Sequence, residues 1–182
     1  VPAAAASPER QEPRVLALAT AVPGYVVEQE RARDFARAVF GDRMTGFGRL
    51  ARVFASTGIE RRYIVEPYEW YERAHNWPER MDSYVAGACK LFEEVVRKAL
   101  AAAELRARDV DTVITVSSTG VATPSIEARM LPRLGFRTDV RRIPVFGLGC
   151  AGGVSGLALA SRIAASEPGT TVLLVAIELC SL

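Results

Sequence analysis

Cys150 stands in the stretch Pro144-Val-Phe-Gly-Leu-Gly-Cys150-Ala-Gly-Gly-Val-Ser-Gly-Leu-Ala-Leu-Ala160, between an apolar strand-like run and a helix-like run without a polar face. A thiol at a helix start faces the positive end of the helix dipole and backbone N–H groups that lack intrahelical partners. Both favour the thiolate, which is the nucleophile. Gly147, Gly149, Gly152 and Gly153 leave room for backbone and substrate where a Cβ would collide. The residue types therefore point to covalent chemistry on sulfur, with Cys150 accepting an acyl group.

The elements that must position this thiol follow from periodicity. Arg14 to Val27 reads as a strand, a turn at Pro23-Gly24 and a short extended piece. Helices are expected over Glu28–Phe40 and Met44–Ser56, the second stopped by Gly58. In that second helix Arg49 and Arg52 share one face, opposite a buried face of Phe47, Leu50 and Phe54. Ile59–Val65 alternates like a strand, and Arg61 and Arg62 within it read as partners in ordinary salt bridges. An aromatic loop follows, in which Trp70, Tyr71 and Trp77 read as packing residues and His75 as a surface or loop-packing histidine.

The plainest helix runs from about Glu79 to Leu105, with Met81, Tyr84, Val85, Ala88, Leu91, Phe92, Val95, Ala99 and Ala103 at three- and four-residue spacing. Asp111–Ser117 is a strand of β-branched residues. At the turn after it, Thr123 is placed to cap a helix whose first residue is Pro124. Strands over Arg142–Phe146 and Thr170–Leu179 flank a helix over Cys150–Ser166. Alternating strands and helices define an α/β layered domain with a largely parallel sheet. The last helix is apolar and small all round, so both its faces need cover, more than the countable elements supply. Residues 14–182 therefore read as the first half of a larger fold, behind a mobile leader over residues 1–13.

Composition excludes several classes. With 182 residues, 49% of them hydrophobic, the chain can build a substantial core. A net charge of +2 and the lack of basic runs with interleaved aromatics give no sign of nucleic-acid binding. Three cysteines and one histidine, without metal-ligand spacing, indicate reduced thiols in a cytoplasmic protein and no metal site. No apolar run reaches the length of a membrane span.

Four stretches carry a specific resemblance: Gly58-Ile-Glu-Arg-Arg-Tyr63, Val116-Ser-Ser-Thr-Gly-Val-Ala-Thr-Pro124, Val145-Phe-Gly-Leu-Gly-Cys-Ala-Gly-Gly153 and Val175-Ala-Ile-Glu-Leu-Cys-Ser181. In this order they resemble the N-terminal half of the type III polyketide synthases, the chalcone- and stilbene-synthase-like family, in a bacterial form. The resemblance implies a thiolase-like layered fold and a homodimer. It implies that Cys150 is loaded from an acyl-CoA starter, followed by decarboxylative Claisen condensation with malonyl-CoA, both coenzyme A thioesters being substrates and no cofactor being permanently bound. It also implies that Arg49 and Arg52 grip coenzyme A phosphates, although Ser56 stands where many relatives carry a third basic residue. Ser118, Thr119, Thr123 and Cys180 match positions lining the acyl pocket. Thr123 lies where a side chain crosses the dimer interface, and its small size leaves a roomier pocket. An alkylpyrone- or alkylresorcinol-type product from a fatty acyl starter is the direction this points.

The family completes its site with a histidine and an asparagine from the second half, and His75 matches neither. Glu178 reads as a buried, hydrogen-bonded structural acid. Three other readings stay open on sequence. The glycine corner also resembles a nucleophile elbow with cysteine for serine, which calls for a hydrolase helix with one polar face. A β-ketoacyl-ACP synthase III-like enzyme would share the fold and the cysteine. An inactive, dimerising half would share both without catalysis.

Overall fold

The computed structural model describes residues 12–41 and 44–182. Residues 1–11, most of the expected leader, lie outside the described residues. In chain order the elements are β1 (Tyr25–Glu28), α1 (Gln29–Phe40), α2 (Phe47–Leu50), α3 (Val53–Ser56), β2 (Arg61–Ile64), α4 (Trp77–Ala102), β3 (Thr112–Ser117), α5 (Ile126–Leu134), β4 (Arg141–Phe146), α6 (Gly152–Ser166) and β5 (Val172–Ala176). They form two compact units. The larger holds the described residues up to Ala21 with Ala88–Glu178, and the smaller holds Val22–Gly87 with Leu179–Leu182.

The larger unit is built on a three-stranded sheet in the order β4-β3-β5. Both pairings are parallel, with Ile114 opposite Ile143 on one side and Leu174 on the other. Every residue of β3 is buried, as a central strand covered on both faces must be. Asp111 fastens the sheet at the amino end of β3: its carboxylate accepts the Thr171 N–H at 2.8 Å and pairs with Arg137 at 3.1 Å. The Thr171 bond and that guanidinium hold the Asp111 carboxyl below the usual carboxylate range.

Helix α6 lies against β3 and β5 through glycines. A Cβ on Gly156 would come within 2.8 Å of both Val116 Cγ2 and Leu174 Cδ1, and one on Gly152 within 2.6 Å of Val116 Cγ1. Gly156→Ala gains about 1 kcal/mol of helix propensity, against an overpacking cost of about 1–3 kcal/mol. Val116 is almost fully buried and β-branched, so it has little freedom to swing away. With the cost at the upper end of that range, the substitution is expected to destabilise by a net of about 1–2 kcal/mol, read as a lower urea midpoint. An unchanged or higher midpoint contradicts this account of the contact. The other side of α6 is uncovered, with Val154 75% and Leu157 54% exposed.

Helix α4 buries Tyr84, Ala88, Leu91 and Phe92 as the spacing predicts, and Val96 rather than Val95 is the residue fully enclosed. Its start is a reciprocal cap: Glu79 N–H donates to Asn76 Oδ1 at 2.9 Å, and Asn76 N–H donates to Glu79 Oε2 at 3.0 Å. Ion pairs Glu93–Arg97 and Glu94–Lys98 line its outer surface at four-residue spacing.

In the smaller unit β1 and β2 pair antiparallel, with Glu28 opposite Arg61. Gln29 is the local tie. Its Nε2 donates to the Phe54 carbonyl at 3.0 Å, and its Oε1 accepts from Arg62 Nε at 2.8 Å. Arg62 thus serves a neutral amide, lies 5.6 Å from the Phe54 ring centroid, and among the described residues forms none of the salt bridges expected of it. His75 is enclosed: Nε2 donates to the Trp70 carbonyl at 2.6 Å, Nδ1 lies 3.2 Å from Glu79 Oε2, and Trp70 stacks on the ring at 3.5 Å. It is a loop-packing residue. Trp77 does not join that cluster and is 65% exposed.

Three other expectations change. Residues 14–22 form no strand: Val15 and Leu18 are largely exposed, and apolar composition makes a strand only where a neighbouring edge offers hydrogen bonds. The helix expected over Met44–Ser56 is two short helices, because the bonds from Arg52, Phe54 and Ala55 N–H reach back three residues instead of four. Leu50 consequently lies exposed while Phe47 and Ala51 are buried. Ser125, not Thr123, occupies the cap of α5, which begins at Ile126. The Thr123-Pro124 peptide is cis, and the carbonyls of both residues accept from Arg129, at 3.0 and 2.8 Å.

Candidate active site

Because the three strands of the larger unit are parallel, their carboxyl ends share one edge, where ligands bind in sheets of this kind. Ser118 and Thr119 follow β3, Gly147 to Cys150 follow β4, and Ile177 and Glu178 follow β5. Cys150 sits in a single tight turn, Gly149–Ala151, directly before α6, so the helix proper begins two residues later than its sequence suggests. Gly147 and Gly149 hold φ of +83° and +53°, the left-handed region that glycine enters without a Cβ penalty. The thiol is exposed at the head of a fifteen-residue helix.

Two of the expected pocket residues are brought to this turn. Ser118 Oγ accepts the Gly149 N–H at 3.0 Å, one residue before the nucleophile. The N–H groups of Ser118 and Thr119 both donate to the Glu178 carboxylate, at 2.9 and 3.0 Å. Glu178 is hydrogen-bonded as expected but exposed rather than buried, because it lies past the end of β5. Sequence reading missed its connection to the cysteine turn; the one available signal was an acid inside the apolar run Val175-Ala-Ile-Glu-Leu179. Thr123 is exposed at the next turn.

Arg49, Arg52 and Cys180 belong to the smaller unit. Arg52 N–H donates to the Arg49 carbonyl, at 3.4 Å, in a three-residue turn. Side chains three apart align in such a turn, so the two guanidinium groups share one exposed side despite the broken helix. Among the described residues neither has an ion-pair partner. Cys180 is exposed, and the adjoining Ser181 Oγ lies 3.0 Å from Tyr71 Oη. Cys89 contrasts with both exposed thiols: it is half-buried in the larger unit, and burial pushes its thiol up against the smaller opposing pull of Arg129 and Arg133. Among the described residues no cluster of His, Cys, Asp or Glu could hold a metal ion, and no helix is long and apolar enough to cross a membrane.

The chain has a thiolase-like α/β fold, with a cysteine at the carboxyl edge of its parallel sheet heading a glycine-faced helix. The chain belongs to the type III polyketide synthases: the family model for chalcone and stilbene synthases, N-terminal domain, matches residues 3–182. A putative chalcone synthase of Bacillus subtilis is 40% identical over 173 residues, covering 92% of this chain and 47% of that protein. A 1,3,6,8-tetrahydroxynaphthalene synthase of Streptomyces griseus is 34% identical over 164 residues, covering 90% and 44%. The crystal structure of the 1,3,6,8-tetrahydroxynaphthalene synthase of Streptomyces coelicolor A3(2) superposes with a TM-score of 0.84 at 32% identity, covering 91% of this chain and 48% of that one. The chain spans about half the length of the relatives it matches.

Proposed function

We propose that this chain supplies the nucleophile half of a type III polyketide synthase. In this reading the Cys150 thiolate attacks the carbonyl carbon of an acyl-CoA. The tetrahedral adduct collapses with cleavage of the C–S bond to coenzyme A, whose thiolate leaves and takes up a proton. Malonyl-CoA then loses carbon dioxide, and the resulting enolate attacks the acyl-Cys150 thioester, returning the Cys150 thiolate. The observation that carries this is the exposed Cys150 at the head of α6, with its turn anchored at Gly149 by Ser118. Ser118, Thr119 and Thr123 line the acyl pocket, and a histidine and an asparagine outside these residues stabilise the enolate and the oxyanion. The enzyme works in the cytosol as a homodimer, without a resident cofactor.

The test is incubation of the whole polypeptide with a panel of acyl-CoA starters and malonyl-CoA, with mass spectrometry of Cys150 and of the products. A fatty acyl starter and an alkylpyrone or alkylresorcinol product are expected. Acyl transfer only from an acyl carrier protein would place the chain with the β-ketoacyl-ACP synthases instead.

Arg49 and Arg52 carry the coenzyme A phosphates in this reading, supported by two exposed guanidinium groups on one side of a turn without ion-pair partners among the described residues. Each charge-assisted contact at an exposed site is worth roughly 1 kcal/mol. Arg49→Ala with Arg52→Ala removes two such contacts and is therefore expected to raise KM for acyl-CoA by about 30-fold. Turnover of a short thioester lacking the nucleotide should be spared. Equal damage to both substrates makes the pair structural.

A further inference from the structure

Resting on the proposed role of Cys150 as acyl acceptor, we infer that Glu178 is a positioning residue, acting through Ser118 to hold the Cys150 thiol in line for attack. Ile177 N–H donates to the Val116 carbonyl at 2.9 Å, extending the sheet ladder past β5 and setting Glu178 beside the turn that follows β3. The two carboxylate oxygens of Glu178 accept the Ser118 N–H at 2.9 and 3.1 Å, and Oε2 also accepts the Thr119 N–H at 3.0 Å. One charged group thereby fixes two successive peptide units with charge-assisted bonds. The orientation of those units aims Ser118 Oγ at the Gly149 N–H, 3.0 Å away.

The cysteine turn needs such a restraint. Gly147 and Gly149 both have positive φ, and a Cβ built on either would meet nothing within 4 Å. Steric wedging therefore does not hold these glycines, and their backbone freedom is large. What holds them is hydrogen bonding: Ser118 to Gly149, and Ala151 N–H to the Leu148 carbonyl at 3.2 Å. The path from Glu178 to the nucleophile is thus carboxylate, Ser118 backbone, Ser118 hydroxyl, Gly149 N–H, Cys150. A thioester carbonyl must meet the sulfur within a narrow angle, and a misplacement of about 1 Å costs roughly 10²-fold in rate. A small alkylating agent has no such requirement.

The test uses the whole polypeptide carrying Ser118→Ala, Ser118→Thr, Glu178→Gln or the Ser118→Ala and Glu178→Gln pair. Three quantities are read for each: the rate of Cys150 acylation by acyl-CoA, the rate of Cys150 alkylation by iodoacetamide, and the melting temperature. Ser118→Ala and Glu178→Gln are expected to slow acylation by roughly 10- to 100-fold while alkylation and melting stay close to wild type. Ser118→Thr keeps the hydroxyl and is expected to recover most of the rate. The pair is expected to cost no more than the worse single change, because both act through one path. Glu178→Gln separates this role from a loss of pocket contacts at Ser118, since Glu178 has no place in the proposed pocket. Acylation at the wild-type rate in both single variants overturns the positioning role and leaves the proposed function standing. So does acylation that falls only in step with alkylation or melting. A wild-type polypeptide that takes no acyl group on Cys150 overturns the proposed function and the positioning role together.

Discussion

Cys150→Ala is expected to abolish acyl loading and to lower product formation in the whole polypeptide by at least about 10⁴-fold, the scale on which removal of a covalent nucleophile is felt. The effect is large because the thioester is an obligatory intermediate in the proposed chemistry, and neither other cysteine can replace it. Cys89 is half-buried, and desolvation keeps its thiol in the protonated, unreactive form. Cys180 is exposed but belongs to the smaller unit, whereas Cys150 is exposed at the head of a fifteen-residue helix, in the turn that Ser118 anchors. In the unmodified protein, iodoacetamide at neutral pH should label Cys150 well ahead of Cys89, as a peptide map that resolves all three cysteines will show. Equal labelling of Cys150 and Cys89 in folded protein, or full activity in Cys150→Ala, removes the basis for the proposed reaction.

Much of this site was legible in the sequence because its signals are local. A glycine either side of Leu148 and a cysteine next mark a strand-to-helix corner, and Gly152 and Gly156 make the close approach expected of small residues. Gly147, Gly149 and Gly153 do not sit where a Cβ would collide, and the first two serve through their positive φ instead. The apolar spacing of α4 and the β-branched run of β3 are equally local, and both elements form within three residues of their expected bounds. The α/β layering was legible in the alternation of strands and helices, and its thiolase-like form in the family resemblance of the four stretches.

What was not legible depends on partners distant in sequence. Residues 14–22 have strand composition, but pairing is a property of two segments, and the described structure gives this one no ladder. The interruption between α2 and α3 comes from back-bonds at Arg52, Phe54 and Ala55, which apolar periodicity does not report. Thr123 has the residue type of a cap, yet the helix's own bonding begins with Arg129 N–H donating to the Ser125 carbonyl at 3.1 Å, so Ser125 is the cap. The acid of Glu178 is separated by sixty residues from the N–H groups it holds, so nothing in its neighbourhood marks it as part of the cysteine turn.

In helix α6 the sequence pattern calls for more cover than the described residues supply. Its residues are small or apolar on every side, which calls for two covered faces. Gly152 and Gly156 supply one, against Val116 and Leu174. Val154 and Leu157 form the other and lie exposed, as do Phe146 and Leu148 on the approach to Cys150.

A polypeptide of only these 182 residues is expected to become acylated on Cys150 slowly and to make no polyketide. Acylation needs an activated thioester and a nucleophilic sulfur, and both are available to the turn that Ser118 holds. Condensation needs more, because loss of carbon dioxide from malonyl-CoA leaves a carbanion whose charge must be met by preorganised donors. Removing one such donor typically costs about 10²–10³ in rate, and the family's histidine and asparagine would both be missing. The single histidine offers no substitute: His75 has Nε2 engaged by the Trp70 carbonyl, Nδ1 facing Glu79, and its ring under Trp70. Incubation with acyl-CoA followed by mass spectrometry should therefore reveal an adduct on Cys150, while radiolabelled malonyl-CoA yields no extended product. Extended product at the rate of the whole polypeptide would mean that a group within these residues stabilises the enolate, and the division of labour proposed between Cys150 and groups outside this chain would fall.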